Sequence, residues 1–80
     1  MKIANLIECL ESALEVEVGS VDMSSTQESV EEWDSLGHIS ILATLDDLFS
    51  DITERQPELV DATTLSGIVE ILRGESLIED

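Results

Sequence analysis

The chain has 80 residues, enough for one small domain, and 42% of them are apolar, which favours a folded core over disorder. Nineteen acidic residues against three basic ones give a formal charge of −16, so the surface should repel nucleic acid and anionic membranes and attract basic patches on other proteins. One Trp, one Phe and no Tyr argue against a surface on which bases or sugars stack.

Cysteine usage and the apolar runs indicate where the protein works. Cys9 is the single cysteine, and a thiol without an intramolecular partner is typical of a reducing compartment. Glu8 and Glu11 interrupt the apolar residues near the N-terminus, so the sequence predicts no signal peptide. No apolar stretch approaches the roughly 18 residues that a membrane span requires. We therefore expect a cytoplasmic protein, and we expect it to be a monomer.

The first predicted element is an amphipathic helix over residues 2–16. Glutamates occupy one side of it, and the apolar residues recur at helical spacing on the other. This apolar face consists of Ile3, Leu6, Ile7, Leu10 and Leu14. Gly19 stands where a C-terminal cap is plausible. Cys9 lies beside the apolar face, and with no cationic neighbour to activate it we expect a buried or half-buried structural thiol.

A connection of unusual length follows, from Gly19 to Asp34, rich in Ser, Thr, Gln and Glu. In so small a domain a loop of this length is either functional or held down by its own apolar contacts. A helical turn within residues 26–32 is an open alternative. The apolar residues expected to hold the loop are Val21, Met23, Val30 and Trp33.

A second helix is predicted to begin at Asp34-Ser35 and to end at Phe49 or Ser50. Asp and Ser are favoured at a helix start because their side-chain oxygens accept the unpaired amides of the first turn. The predicted core face consists of Leu36, Ile39, Leu42, Ala43, Leu45, Leu48 and Phe49, followed by Ile52. The solvated end carries Asp46, Asp47 and Asp51.

Two further helices are predicted in the last third of the chain. Pro57 is suited to the first turn of a short third helix, which should run to about Val60. Thr63 or Thr64 can cap a fourth helix, which Gly74 should end. Its apolar residues are Leu65, Ile68, Val69, Ile71 and Leu72.

The predicted elements add up to one all-α domain. No strand-like alternation and no hairpin signal appears. We expect a small four-helix bundle of three longer helices and one short helix. Its folded core should comprise about residues 2–73, and residues 75–80 are expected to form a frayed tail.

The start of the second helix carries a motif. Residues 32–39 read Glu-Trp-Asp-Ser-Leu-Gly-His-Ile. They resemble the acyl and peptidyl carrier protein family at its Asp-Ser-Leu motif, in which the Ser is the site of phosphopantetheinylation. The motif stands near the middle of a short acidic chain, after a long loop, and opens an amphipathic helix. Residues 61–68 resemble the short loop and fourth-helix start of the same family, so the resemblance extends from the first helix to about Leu72.

The resemblance implies a carrier of the discrete, single-domain type. Ser35 would hold a covalent 4'-phosphopantetheine arm whose terminal thiol binds an acyl or aminoacyl group as a thioester. Asp34 would help to engage a phosphopantetheinyl transferase of the holo-acyl-carrier-protein synthase type, which brings coenzyme A and a divalent metal. Leu36 would be the apolar side chain that partner proteins contact. These partners would include loading enzymes, acyltransferases and synthases with basic docking patches, and the carrier itself would contain no catalytic residue and no metal site.

His38 lies three residues after Ser35 and so shares a helix face with it. No acid or nucleophile stands beside it in the motif, so we do not expect a catalytic base. The sequence instead favours an exposed residue at the rim of the site, which can contact the phosphate or a partner and would do so more strongly when protonated.

The motif departs from the pattern of fatty-acid carriers, which bear acidic residues soon after the Ser on the exposed helix face. Gly37 and Ser40 occupy the corresponding positions in this chain. Together with Trp33 and His38, they favour a specialised pathway, such as polyketide, nonribosomal peptide, aminoacyl or sugar-acid transfer, over bulk fatty-acid synthesis.

The main alternative is an acidic helical interaction module that binds or inhibits a basic protein. It would account for the charge but not for the motif. A calcium sensor would need a twelve-residue loop rich in Asp that ends in Glu, and the sequence contains none. A hydrolase is disfavoured by the single His and by the lack of a nucleophile elbow.

Overall fold

Three longer helices carry the fold in the computed structural model, which describes residues 1–79. The α-helices are α1 (Ile3–Leu14), α2 (Ser35–Phe49), α3 (Ile52–Arg55) and α4 (Leu65–Gly74). A 3₁₀-helix, Pro57–Asp61, connects α3 to α4. This part of the chain contains no strand, only two isolated β-bridges. The predicted all-α bundle is confirmed, and the short helix predicted at Pro57 is the 3₁₀-helix. The single turn of α3 was not predicted.

One hydrophobic core joins the longer helices to the loop and the tail. The apolar face predicted for α1 is confirmed, with Leu6, Leu10 and Leu14 buried. Cys9 is half-buried, as expected. The buried apolar residues are Leu6, Leu10, Leu14, Val21, Val30, Trp33, Ile41, Leu45, Ile52, Leu59, Leu65, Ile68, Val69, Leu72 and Ile78.

Helix α1 ends before the glycine that was expected to cap it. Glu15 takes the left-handed conformation at the cap, with φ of 59°, and its N–H donates to the carbonyls of Glu11 and Ser12. The N–H of Val16 also donates to the Glu11 carbonyl, at 3.0 Å. The prediction of a cap at Gly19 is wrong, because the chain already turns at Glu15 and brings Val16 back against the core.

A buried carboxylate fixes the beginning of the loop. Glu11 is only 2% exposed, although the sequence pattern placed it on the solvated side of α1. Its Oε2 accepts hydrogen bonds from the N–H groups of Gly19, at 2.8 Å, and Val21, at 3.0 Å. Bonds from backbone amides to a carboxylate are stronger than bonds between neutral groups. Glu11 therefore ties the loop to α1 from inside the domain.

Three of the four apolar residues expected to hold the loop do so: Val21, Val30 and Trp33 are buried. Met23 is 40% exposed, so its predicted role is wrong. Residues 26–32 form turns rather than a helix.

A tight turn explains why Met23 faces outward. Asp22 Oδ1 accepts from both the N–H and the hydroxyl of Ser24, which closes the chain around residue 23. The Ser24 hydroxyl bond holds the pKa of the Asp22 carboxyl below its ordinary value.

The C-terminal tail packs on the bundle through Glu79, and the prediction that it frays is wrong for this stretch. Ile78 is 6% exposed and belongs to the core. The N–H of Glu79 donates to the Met1 carbonyl at 2.9 Å, and the N–H of Ile3 donates to the Glu79 carbonyl at 3.3 Å. The tail is too short for a periodic pattern, so its apolar residues carried no recognisable signal. Asp80 lies outside the described residues.

We expect Glu11→Ala to lower the free energy of unfolding by about 2–4 kcal/mol, because two amides of the loop would lose a charged acceptor. Glu11→Gln retains an oxygen that can accept the same bonds, so its cost should be nearer to about 1 kcal/mol. Urea unfolding followed by Trp33 fluorescence measures both. Glu8→Ala, at an exposed position of the same helix, is the control and should change stability by less than ~0.5 kcal/mol. Equal losses for Glu8→Ala and Glu11→Ala would contradict the role assigned to Glu11.

Candidate functional site

The start of α2 is built by a side-chain cap. Asp34 has extended backbone, and its Oδ1 accepts from the Gly37 N–H at 2.8 Å. The Asp34 carbonyl accepts from the His38 N–H, also at 2.8 Å. The cap predicted at Asp34 and the helix bounds predicted from it are confirmed. The same arrangement caps α4, where Thr64 Oγ1 accepts from the Gly67 N–H at 3.0 Å.

Three of the residues singled out by the motif lie side by side at the surface. Asp34 and Ser35 are exposed, and Leu36 is 75% exposed. Ser35 is the first residue of α2, where the N–H groups have no carbonyl of their own helix to bond to. A hydroxyl, a carboxylate and an apolar side chain are thus presented together at one helix end.

The buried face of α2 differs from the predicted one. Leu36, Ile39, Ala43 and Leu48 were expected in the core, but all four are exposed, with Ile39 at 61% and Leu48 at 36%. The buried face of α2 instead consists of Gly37, His38, Ile41 and Leu45. Apolar residues are spread around most of the circumference in the first three turns, so the helical period could not orient this helix.

Gly37 lies where α2 touches the loop and α1. A Cβ at this position would overlap the carbonyl oxygen of Glu32 and come within 2.9 Å of Leu14 Cδ2. Gly37 is therefore not on the exposed helix face where it was expected to replace an acid. Its lack of a side chain permits the close approach that the site requires.

His38 is buried rather than exposed at the rim, and the prediction for it is wrong. It is 8% exposed, and its Nδ1 accepts from Trp33 Nε1–H at 2.9 Å. Its Nε2 lies 3.0 Å from the carbonyl oxygen of Leu59 in the 3₁₀-helix. The ring is thus occupied on both sides by the interior. It is not placed to contact a phosphate on Ser35.

Trp33 anchors the end of the loop immediately before the motif. It is 1% exposed, and its ring stacks on that of His38 with centroids 6.1 Å apart and planes 18° apart. The backbone N–H of Trp33 donates to the Val30 carbonyl at 3.0 Å. The large buried ring of Trp33 therefore fixes the backbone that leads to Ser35 to the core.

The exposed side of α2 is uncharged along its first three turns. Ser40 is exposed, and the first acid of the helix is Asp46. Asp46 is half-buried, and its Oδ1 accepts from the N–H and hydroxyl of Thr53, both at 2.9 Å. It serves the junction of α2 and α3, so exposed negative charge on α2 begins only at Asp47.

Within residues 1–79 no three His, Cys, Asp or Glu side chains come together in an arrangement that could hold a metal ion. None of the helices in the same range combines the length and the apolar character that a bilayer span requires.

No family model, curated protein or solved structure matches this chain.

We expect Gly37→Ala to destabilise the protein. Helix propensity alone predicts a gain of about 1 kcal/mol for this change, whereas overlap with Glu32 and Leu14 predicts a net loss of about 1–3 kcal/mol. Ser40→Ala, exposed on the same helix, is the matched control and should be neutral or gain up to ~0.5 kcal/mol. Thermal and urea unfolding measure both. A stabilisation by Gly37→Ala as large as that by Ser40→Ala would show that the contact is not close.

Proposed function

We propose that the chain is a discrete, monomeric acyl carrier protein that bears a 4'-phosphopantetheine arm on Ser35. The observation that carries the proposal is the start of α2, where Asp34, Ser35 and Leu36 stand in the order of the family motif and are all exposed. The hydroxyl can enter the site of a modifying enzyme without any part of the bundle unfolding.

The position of Ser35 suits a phosphodiester. Its oxygen would become the ester oxygen of the arm, at the first residue of a helix of 15 residues. Free N–H groups and the positive end of the helix dipole favour negative charge at such a place. The rigid support from Trp33 and His38 keeps the attachment point fixed while the arm moves.

Asp34 and Leu36 have separate tasks in this proposal. The helix cap uses Oδ1 of Asp34, and the carboxylate as a whole is exposed, so a transferase with its divalent metal can approach Oδ2. Leu36 and Ile39 are exposed apolar side chains one helical turn apart, which is the kind of surface that a partner buries. Loading enzymes, acyltransferases and synthases would dock here, with basic patches facing the acidic remainder of the protein.

The carrier supplies a tether and a surface, and the partner enzymes supply the chemistry. A thioester on the terminal thiol is activated for acyl transfer, so no proton-transfer group of this chain is needed at Ser35. The proposal places the protein in the reducing cytoplasm, where the thiols of the arm and of Cys9 remain unoxidised.

The proposal favours a specialised pathway over bulk fatty-acid synthesis, but fewer residues support this preference than the sequence indicated. Gly37, Trp33 and His38 are buried and so do not bear on partner choice directly. What remains is the uncharged exposed face, with Ser40 where charge-reading partners of fatty-acid carriers would meet an acid. Acyl and aminoacyl cargoes are both compatible with such a face.

An acidic interaction module is the second candidate, and one observation favours it. Four glutamates border an open groove between the end of α1 and the loop: Glu15, Glu17, Glu31 and Glu32. A basic protein could bind there without any modification of Ser35.

Incubation with coenzyme A, magnesium and a broad-specificity phosphopantetheinyl transferase should add one phosphopantetheine to the protein, as measured by intact mass. Ser35→Ala should abolish the gain because it removes the accepting oxygen, and its circular dichroism should remain native. Ser40→Ala is the matched control on the same exposed helix and should be modified fully. If several transferases leave the folded native protein unmodified, the interaction module becomes the better proposal.

Leu36→Glu should slow modification about tenfold or more, because it removes an apolar contact at the centre of the docking surface. Its stability should change by less than ~0.5 kcal/mol, since residue 36 is exposed. Val18→Glu is the control, because Val18 is 81% exposed but lies between α1 and the loop, outside the exposed face of α2. Initial rates from intact mass and urea midpoints separate the two effects. Equal rates for both variants would remove Leu36 from the recognition surface.

A further inference from the structure

The environment of the His38 ring determines which nitrogen carries the proton. The indole Nε1–H of Trp33 can only donate, so Nδ1 of His38 must hold a free lone pair to accept it at 2.9 Å. The carbonyl oxygen of Leu59 can only accept, so Nε2 must be protonated to donate at 3.0 Å. Both bonds are made only by a neutral imidazole in the Nε2–H tautomer.

We propose that Trp33, His38 and the Leu59 carbonyl form a latch that is closed while His38 is neutral and opens when it is protonated, so that acid loosens the segment that presents Ser35. The effect on arm attachment rests on the proposed carrier function, whereas the latch itself is a property of the fold.

Protonation removes the acceptor from the latch. The added proton occupies the Nδ1 lone pair, so Nδ1–H and Nε1–H of Trp33 then face each other as two donors. The bond between the rings is lost, and the ring also gains a positive charge in a site that is 8% exposed. Once Nδ1 carries a proton, the closed arrangement offers no acceptor to the indole N–H of Trp33.

The charged groups around the ring do not compensate for the added charge in the closed arrangement. The loop, α1 and the 3₁₀-helix pack against this part of α2. None of the ion pairs in residues 1–79 includes His38. Glu11 is buried, but its Oε2 is engaged by the amides of Gly19 and Val21. The exposed carboxylates nearest to these contacts along the chain are Glu31, Glu32, Asp34, Glu58 and Asp61; those farther along α1 and the loop are Glu8, Glu15, Glu17, Asp22 and Glu28.

The latch connects the segments that define the site. Trp33 holds the end of the loop, His38 belongs to the first turns of α2, and Leu59 belongs to the 3₁₀-helix. With the Trp33–His38 bond broken, the end of the loop loses its attachment to α2, whereas Nε2–H of the protonated ring can still donate to the Leu59 carbonyl. The latch is therefore closed at the higher pH and opens when acid protonates the ring.

The test is nuclear magnetic resonance of the uniformly ¹⁵N-labelled, unmodified protein between pH 8 and pH 5. The chain has one Trp and one His, so the indole and imidazole signals are unambiguous. At pH 8 the imidazole nitrogens should report the Nε2–H tautomer. The indole N–H signal of Trp33 should shift with the same midpoint as His38, and its exchange with water should rise about fivefold to tenfold beyond the intrinsic pH effect.

Two variants isolate the bond. His38→Gln keeps an amide oxygen that can accept from Trp33 but does not titrate, so its indole signal should show no transition. Trp33→Phe keeps a large apolar ring but lacks the N–H, so the Nδ1 signal of His38 at pH 8 should move to that of a nitrogen without a hydrogen-bond donor, while the Leu59 carbonyl still favours Nε2–H. Native circular dichroism of at least one of them establishes that the readout is not global unfolding.

The functional arm compares modification rates of the native protein and His38→Gln at pH 7.5 and pH 5.5. Their ratio cancels the pH dependence of the transferase itself, and it should fall about fivefold to tenfold at the lower pH. A constant ratio, an Nδ1–H tautomer at pH 8, or an indole signal that ignores the titration of His38 would each overturn the proposal. If no variant accepts an arm at any pH, the carrier function fails, and the latch is still decided by the resonance measurements.

Discussion

The close contact between the start of α2 and the loop is the constraint on which the site depends. Because Gly37 has no side chain, the helix can lie against the carbonyl of Glu32. That approach brings Trp33, near the end of the loop, against the buried face of α2, where its indole N–H donates to the ring of His38. It also fixes the rotation of α2 about its own axis, so that Ser35 and its neighbours face solvent. A larger residue at 37 would separate loop and helix and loosen both.

Buried polar side chains hold the loop against the helices of this small core. The loop is tied at its beginning by the Glu11 carboxylate and at its end by the imidazole of His38. In residues 1–79, every buried side-chain nitrogen or oxygen has a hydrogen-bond partner. A satisfied buried network specifies one arrangement, whereas an apolar core of this size would allow the loop several. The same network is vulnerable, since loss of one member leaves another unsatisfied.

Local signals predicted the three longer helices, the short helix at Pro57 and the surface position of the motif, because a cap is a contact between residues three apart. Asp34 and Thr64 both cap the helices that the sequence assigned to them. The orientation of α2 was not predictable, because apolar residues surround it and only contacts distant in sequence turn Leu36 outward and His38 inward. The tail escaped prediction for a related reason: Ile78 is buried by pairing with the opposite end of the chain.

On the uncharged face of α2, the association of a partner and the stability of the complex would depend on different interactions. The formal charge of −16 draws a basic partner from a distance, and dissolved salt screens that attraction. Leu36 and Ile39, by contrast, present no charge at the contact itself. The lifetime of a complex on this face would then depend on apolar fit and change little with ionic strength, whereas the rate of its formation would fall steeply. Association and release would thus respond to different features of a partner.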